Sequence, residues 1–597
     1  MSTEQEVQPS NESPSSTSVA VVGSPSTNTE LTLDIVEERA NDKLVGAMVG
    51  FTSLQVEPES QSGTTPQTAV LGQITSVVMR NRWHEDQTFK NIIKKVGDLP
   101  AITGQQDTRT AIMKVGGCFV RNDGKTFSHG DLGSVPATGT QVHLIRQRFL
   151  ERVLSFCRDE LFYLGNAYGN KIAFPMWFKH FGTGAHGTGE AYHMGVFGKT
   201  GSGKTGLSKM LLAAYARHSD MGVLIIDPQG EFSLEMQGSR VGDQGLNLND
   251  ILRNKLRRNV SQLPISRIQL DDPGLFQELL GQSGFYERTL GIRTNDPRAV
   301  AESIVAAHIK DSLSLSQLFR KEAAQSVLLE LKSKSERIYR TAMYAERLDN
   351  EVDHLLDRDF ESFFEEQWLP VAELFAAGNG KTRVSEIISR LVHGERGGKP
   401  VFVIDLSMQS GYTPWADVLQ KRVISYIAQS LISESSLTLS DNSRSANTLV
   451  ILDEAHRFVP SGGLWNLNQQ ERELLNELKR AVRETRKYGV GWMFISQTMQ
   501  GIDPEILLQL RAMFFGYGLS FGLEFQRLRE LAGGDDEAMN LYRSFRDPQS
   551  AVHPQFKQFP FMAIGPISPM PFAGQPMFFS AFNAADFEDK NFGSHSL

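Results

Sequence analysis

At 597 residues the chain exceeds what one hydrophobic core organises, so two or three domains are expected. A formal net charge of −8 gives no global positive footprint for nucleic acid and leaves only local contacts, for example along a pore. Two cysteines, Cys118 and Cys157, are too few for a disulfide framework or a zinc site. With a start, Met1-Ser-Thr-Glu-Gln-Glu, that lacks the basic and apolar regions of a secretion signal, they lead us to expect a cytoplasmic protein.

Residues 1–30, rich in Ser, Thr, Glu and Pro, are expected to be a disordered tail. Over 31–146, β-prone runs at 72–79, 110–115 and 141–145 alternate with Gly, Asp, Asn and Pro turns, which predicts a small N-terminal β-barrel or sandwich. Residues 147–235 begin as a connector. They continue as a strand, His193–Phe197, a glycine-rich loop, a helix from Lys204 to about Arg217 and a second strand, Gly222–Asp227. That order is the start of a parallel-sheet nucleotide core. Residues 236–394, with helix-forming stretches such as 320–348, are expected to be a mainly helical insertion. The core resumes over 395–597 with strands at Pro400–Asp405, Thr448–Leu452, Val490–Ser496 and Ala512–Tyr517. The apolar tract Phe559–Phe579 is broken by Pro560, Pro566, Pro569, Pro571 and Pro576, so it is not expected to be a membrane helix. The fold class is therefore α/β, with a parallel-rich central sheet.

The loop Gly198-Lys199-Thr200-Gly201-Ser202-Gly203-Lys204-Thr205-Gly206 has the spacing of a phosphate cradle. Its glycines let successive backbone N–H groups close on a phosphate, and the helix that follows adds its positive end. Lys204 is then placed to neutralise β/γ oxygens of ATP and Thr205 to ligate Mg²⁺. The buried run 448–452 ends in Asp453-Glu454. Asp453 is a second candidate for holding Mg²⁺ and Glu454 for polarising the attacking water, although paired acids also serve simply as partners of a helix N-terminus. Gln497 follows the strand 490–496 and is a candidate γ-phosphate sensor or an ordinary strand-end residue. Glu231, after the strand 222–227, would contact the water or a neighbouring subunit, or else form a turn. Arg472, Arg480 and Arg483 read as a solvated helix face. Arg486 stands just before a core strand, at the edge away from its own nucleotide, where it suits an arginine finger supplied in trans within a ring.

Taken together, Gly198–Thr205, Asp227-Pro-Gln-Gly-Glu231, Leu452-Asp-Glu-Ala-His456, Thr485-Arg-Lys-Tyr-Gly-Val490 and Ile495-Ser-Gln497 resemble the signature set of HerA-type ATPases, in the HerA/FtsK group of ring motors. The resemblance implies a RecA-like P-loop NTPase core behind a barrel, and a homohexamer that threads double-stranded DNA through its pore. It also implies a separately encoded nuclease or other effector as partner, in DNA-end processing or antiviral defence. Carried over by position, Lys204 and Thr205 are the loop residues, Asp453 and Glu454 the acid pair, Gln497 the sensor and Arg486 the finger. The alternatives are an ATP-bound scaffold that activates an effector and a secretion or conjugation ATPase.

Overall fold

The computed structural model describes residues 18–593 apart from 55–66, 98, 100–101, 103, 123–125, 185, 239–244, 379, 408–415, 443, 463–466 and 571–573. Residues 1–17 of the expected tail lie outside the described residues.

Seven strands build the N-terminal unit: β1 (Ala20–Val22), β2 (Glu30–Ile35), β3 (Met48–Leu54), β4 (Gln67–Arg80), β5 (Thr108–Asn122), β6 (Thr126–Gly130) and β7 (Gln141–Leu144). Their order is β2-β1-β7-β3-β4-β5-β6, and a further β2–β5 pairing closes six of them into a barrel with β6 outside. Alternation explains β2, where Leu31 and Leu33 point inward between polar neighbours. The expectation of a tail through residue 30 is corrected here. Val19, Ala20 and Val22 are buried, and β1 pairs with both β2 and β7. A three-residue apolar strand was masked by the polar composition around it.

The rest of the chain supplies β8 (Leu161–Phe162), β9 (Gly165–Ala167), β10 (Met176–Trp177), β11 (His193–Phe197), β12 (Gly222–Asp227), β13 (Val260–Pro264), β14 (Ile268–Gln269), β15 (Thr382–Arg383), β16 (Val401–Asp405), β17 (Thr448–Leu452), β18 (Val490–Ser496), β19 (Leu510–Phe515), β20 (Phe559–Ile564) and β21 (Met577–Ala581). Ten of these form one sheet in the order β13-β16-β12-β17-β18-β11-β19-β20-β21-β9. From β13 to β19 all pairings are parallel, and β20, β21 and β9 are added antiparallel. β11, β12, β16, β17 and β18 are buried at every residue, as strands covered on both faces must be. This is a RecA-like P-loop core. β13 lies inside the segment expected to be helical, and it forms the edge of the core sheet beside β16. Around it, helices such as Pro273–Gln282, Lys321–Ser333 and Val384–His393 bury Phe276, Trp368 and Phe375 in a core continuous with that of the sheet.

Two features hold the parts together. The buried side chain of Gln73 in β4 acts as a short strand against β21: its Oε1 accepts from Phe578 N at 2.9 Å, while its Nε2 donates to Phe578 O at 2.7 Å and to Gly46 O at 2.8 Å. Nearby, Lys114 of β5 pairs with Glu30 and, at 3.1 Å, with Asp535 of the core. The helix α1 (Lys204–Ala216) is held at its far end by Arg258, which is 6% exposed and donates to the carbonyl oxygens of Ala216, His218, Met221 and Lys399. Among the described residues no helix is long and apolar enough to cross a membrane.

Candidate active site

β11 stands between β18 and β19, and the loop that leaves its C-terminal end runs directly into α1. Gly198, Gly201 and Gly203 adopt φ of +156°, +80° and +89°, so the loop takes turns that side chains resist. No side chain caps α1, which leaves its first-turn N–H groups open at the mouth of the loop. Ser202 Oγ is buried without a hydrogen-bond partner. Open amides, an orphaned hydroxyl and a dipole end are the donor set that a nucleotide phosphate requires.

Lys204 is buried at the first position of α1. Burial lowers its pKa, while Glu454, Asp453 and Glu231 act in the opposite sense, so one ammonium and three carboxylates converge. Asp453 directly follows β17 and is pushed up to about 8, first by burial and then by the charges of Asp227, Glu454 and Glu231. A buried acid cluster of this kind is relieved by an arriving cation. Among the described residues no group of three or more His, Cys, Asp or Glu is arranged to hold a metal. Mg²⁺ usually needs only one or two protein oxygens beside phosphate and water. Thr205 and Asp453 fit that lesser demand.

Glu454 is not a glycine, yet it adopts φ +47° and ψ +42°, which ends β17 at once and turns the chain into Ala455–Arg457. Such a conformation costs on the order of 1–2 kcal/mol. Gln497 joins this acid to the phosphate loop. Its Nε2 donates to Glu454 Oε1 at 3.0 Å, and its Oε1 accepts from the Thr200 hydroxyl at 3.0 Å. The other carboxylate oxygen of Glu454 has no hydrogen bond, with His456 Nδ1 3.3 Å away. One end of the site can therefore present a base to a water molecule while Lys204 gathers negative charge.

Glu231 opens α2 (Glu231–Met236), and the turn before it is made by Asp227, which accepts from Gly230 N, Ser233 N and Ser233 Oγ, each at 2.8 Å. Glu231 is thus close enough to act on Lys204 and Asp453 without a part in that turn. Arg486 lies at the opposite end of the strands. It precedes β18, its side chain is 53% exposed, and its nearest acid is Glu190 at 3.8 Å. Seven strand residues put it roughly 20 Å from Gln497, so it does not reach its own phosphate loop.

Residues 191–431 match the family model for the central domain of the helicase HerA. That stretch is similar to a HerA central domain. No curated protein matches the sequence. Among solved structures it is similar to VirB4 of Thermoanaerobacter pseudethanolicus, with 14% identity, 71% of this chain and 97% of the other covered, and a TM-score of 0.38. It is also similar to the genome packaging NTPase B204 from Sulfolobus turreted icosahedral virus 2 in complex with ATP-gammaS, with 10% identity, 65% and 96% covered, and a TM-score of 0.27. At scores of this size the likenesses carry no argument about the chain.

Several residues around the site escape a motif reading. Asp405 ends β16 in register with Asp227, and both are buried. The signal was present, since three apolar strands each finish on an acid. Glu524 is held from sequence to structure only by distance: it accepts from Thr498 Oγ1 and from the backbone N of Met499 and Gln500, fixing the loop after Gln497. No local pattern announces such a contact.

Proposed function

We propose that this protein is an ATP-hydrolysing ring motor, a homohexamer that translocates double-stranded DNA and works with a separately encoded nuclease or other effector. The observation that carries the reading is the bridge Thr200–Gln497–Glu454 beside Lys204, which ties the phosphate loop to a water-activating acid across two strands. In this reading Lys204 neutralises β/γ-phosphate oxygens, Glu454 takes up the proton of the attacking water, and Gln497 reports the state of the loop to Glu454. Thr205 and Asp453 hold Mg²⁺, which when bound offsets the charge that builds on those oxygens. Arg486, remote from its own loop and exposed, is the group a neighbouring subunit would need for its γ-phosphate. A net charge of −8 means that DNA is gripped locally, by basic side chains repeated around a ring.

The test is the ATPase rate of the full chain with and without blunt duplexes of varied sequence, paired with duplex binding across a salt series in a non-hydrolysable ATP analogue. DNA should raise turnover, and binding should be independent of sequence and weaken steeply with salt. Hydrolysis with no duplex binding even at low salt, or binding only when a partner protein is added, refutes the autonomous motor and favours an ATP-bound scaffold.

A further inference from the structure

We infer that the segment 77–96, at one end of the N-terminal barrel, is a docking surface for an anionic lipid bilayer. The inference is independent of the ATPase reading, since the segment has no part in the nucleotide site.

β4 and β5 are the longest strands of the barrel, and the chain between them carries the short helix Arg82–Glu85 and the helix Gln87–Val96. Asp86 starts the second helix, accepting from Thr88 N at 2.8 Å and from Phe89 N at 3.3 Å, and Gly97, at φ +88°, ends it. Phe89, Ile92, Ile93 and Val96 follow the spacing of one helix face. Only Ile93 is buried. Ile92 and Val96 are 41% and 64% exposed, and Trp83, whose ring meets that of Phe89 edge-on at 5.4 Å, is 47% exposed. At the end of β4, Val77 and Met79 lie on one face and Val78 on the other, yet all three are exposed. Six of the eighteen exposed large apolar side chains among the described residues thus fall within this one segment, which marks an interaction surface rather than the scattered exposure common to any protein.

Charge and shape name the occupant. The segment carries five basic residues, Arg80, Arg82, Lys90, Lys94 and Lys95, all exposed, against two acids, Glu85 and Asp86, in a chain whose net charge is −8. Asp86 is spent on the helix cap, and Asp107, where the chain returns to β5, takes Asn81 at 2.8 Å and Arg109 at 4.0 Å. Lys90, Lys94 and Lys95 lie off the face of Phe89, Ile92, Ile93 and Val96, the distribution of a helix that rests in a membrane interface. Nucleic acid would satisfy the lysines and leave the apolar side chains without a partner. A folded protein partner covers one face, whereas here both faces of the strand end are apolar and exposed. A bilayer interface surrounds whatever enters it: it takes Met79, Trp83 and Val96 at the acyl boundary and keeps the lysine ammonium groups among anionic headgroups.

The test is co-sedimentation of the full chain with vesicles of phosphatidylcholine, alone or mixed with phosphatidylserine, at low and at high salt. The parent should bind the mixed vesicles at least about tenfold more tightly than the neutral ones, and salt should weaken that binding. Lys94→Glu combined with Lys95→Glu should cost at least about tenfold in affinity. Met79→Ser combined with Val96→Ser changes no charge and should cost about tenfold as well. All four residues are exposed, so each pair should keep the parental melting temperature. No binding to the mixed vesicles at low salt overturns the inference, as does binding that survives either pair of substitutions. A loss confined to the lysine pair and matched by a loss of duplex DNA binding assigns the segment to nucleic acid, and overturns it too.

Discussion

Replacing Gln497 by alanine isolates the bridge between the phosphate loop and the acid. Two hydrogen bonds disappear, each 3.0 Å long in the intact protein. Their costs differ. Thr200 is exposed, so water replaces the partner of its hydroxyl with little loss. Glu454 is only 8% exposed and its second oxygen already lacks a hydrogen bond, so the donor it loses is not readily replaced. A hydrogen bond to a charged group contributes about 1.5–3 kcal/mol. If the whole of that amount orients the base in the transition state, kcat falls roughly 10- to 100-fold, since about 1.4 kcal/mol is a factor of ten. KM for ATP should move less than about threefold, because Lys204 and the loop amides are untouched. The assay is steady-state phosphate release at saturating ATP, together with analogue binding by calorimetry. A double-mutant cycle sharpens it: on a Glu454→Gln background, Gln497→Ala should be nearly silent, because its effect runs through Glu454. A kcat within twofold of the parent, or full additivity in the cycle, refutes the reasoning.

Three further outcomes follow from the same geometry. Glu454→Gln should bind ATP with near-parental affinity and turn over at least about a hundredfold more slowly, measured by single-turnover kinetics; parental turnover removes Glu454 as the base. Arg486→Ala should lose hydrolysis while keeping nucleotide binding and assembly, and mixing it with Lys204→Ala should restore some activity in shared rings. Absence of rescue in rings confirmed as mixed moves the finger to Arg483 or Arg511. Arg258→Ala removes the donor to four carbonyl groups, those of Ala216 and Met221 in buried hydrogen bonds, a loss on the order of 3–5 kcal/mol, and should lower the melting temperature by about 2–4 °C in a thermal-shift experiment; an unchanged melting temperature shows that water reaches those carbonyls.

The phosphate loop and the acids after β12 and β17 were legible because each rests on a local requirement: glycines where φ is positive, and an acid directly after a buried apolar run. The barrel's strands were legible in part, but its closure was not, since it depends on β2 meeting β5 across about 80 intervening residues. β13 escaped because only two of its five residues, Val260 and Leu263, are fully buried at the sheet edge, too few to separate it from the helices around it. The tract Phe559–Phe579 was readable as something other than a membrane helix, yet β20, with Pro560 inside it, and β21, which begins directly after Pro576, were hidden by those prolines. Pro560 is tolerated because β19 pairs with β20 only at Met562, Ala563 and Ile564, leaving the proline beyond that ladder. Arg258 and Glu524 act through backbone groups far away in the chain, and nothing local marks a side chain chosen for that purpose.

The amide of Gln73 gives the molecule a mechanical property. Turning the barrel against the sheet edge would break the hydrogen bonds it makes with Phe578 and Gly46 in a place water does not reach, and would part Lys114 from Asp535. Even a low cost of about 4 kcal/mol keeps the uncoupled form near one molecule in a thousand. Barrel and sheet edge therefore behave as a shaft keyed to its wheel, with no backlash between them. Whatever docks on the barrel feels each displacement of the sheet without delay, and any compliance in the chain must lie elsewhere, as at the loops that follow the core strands.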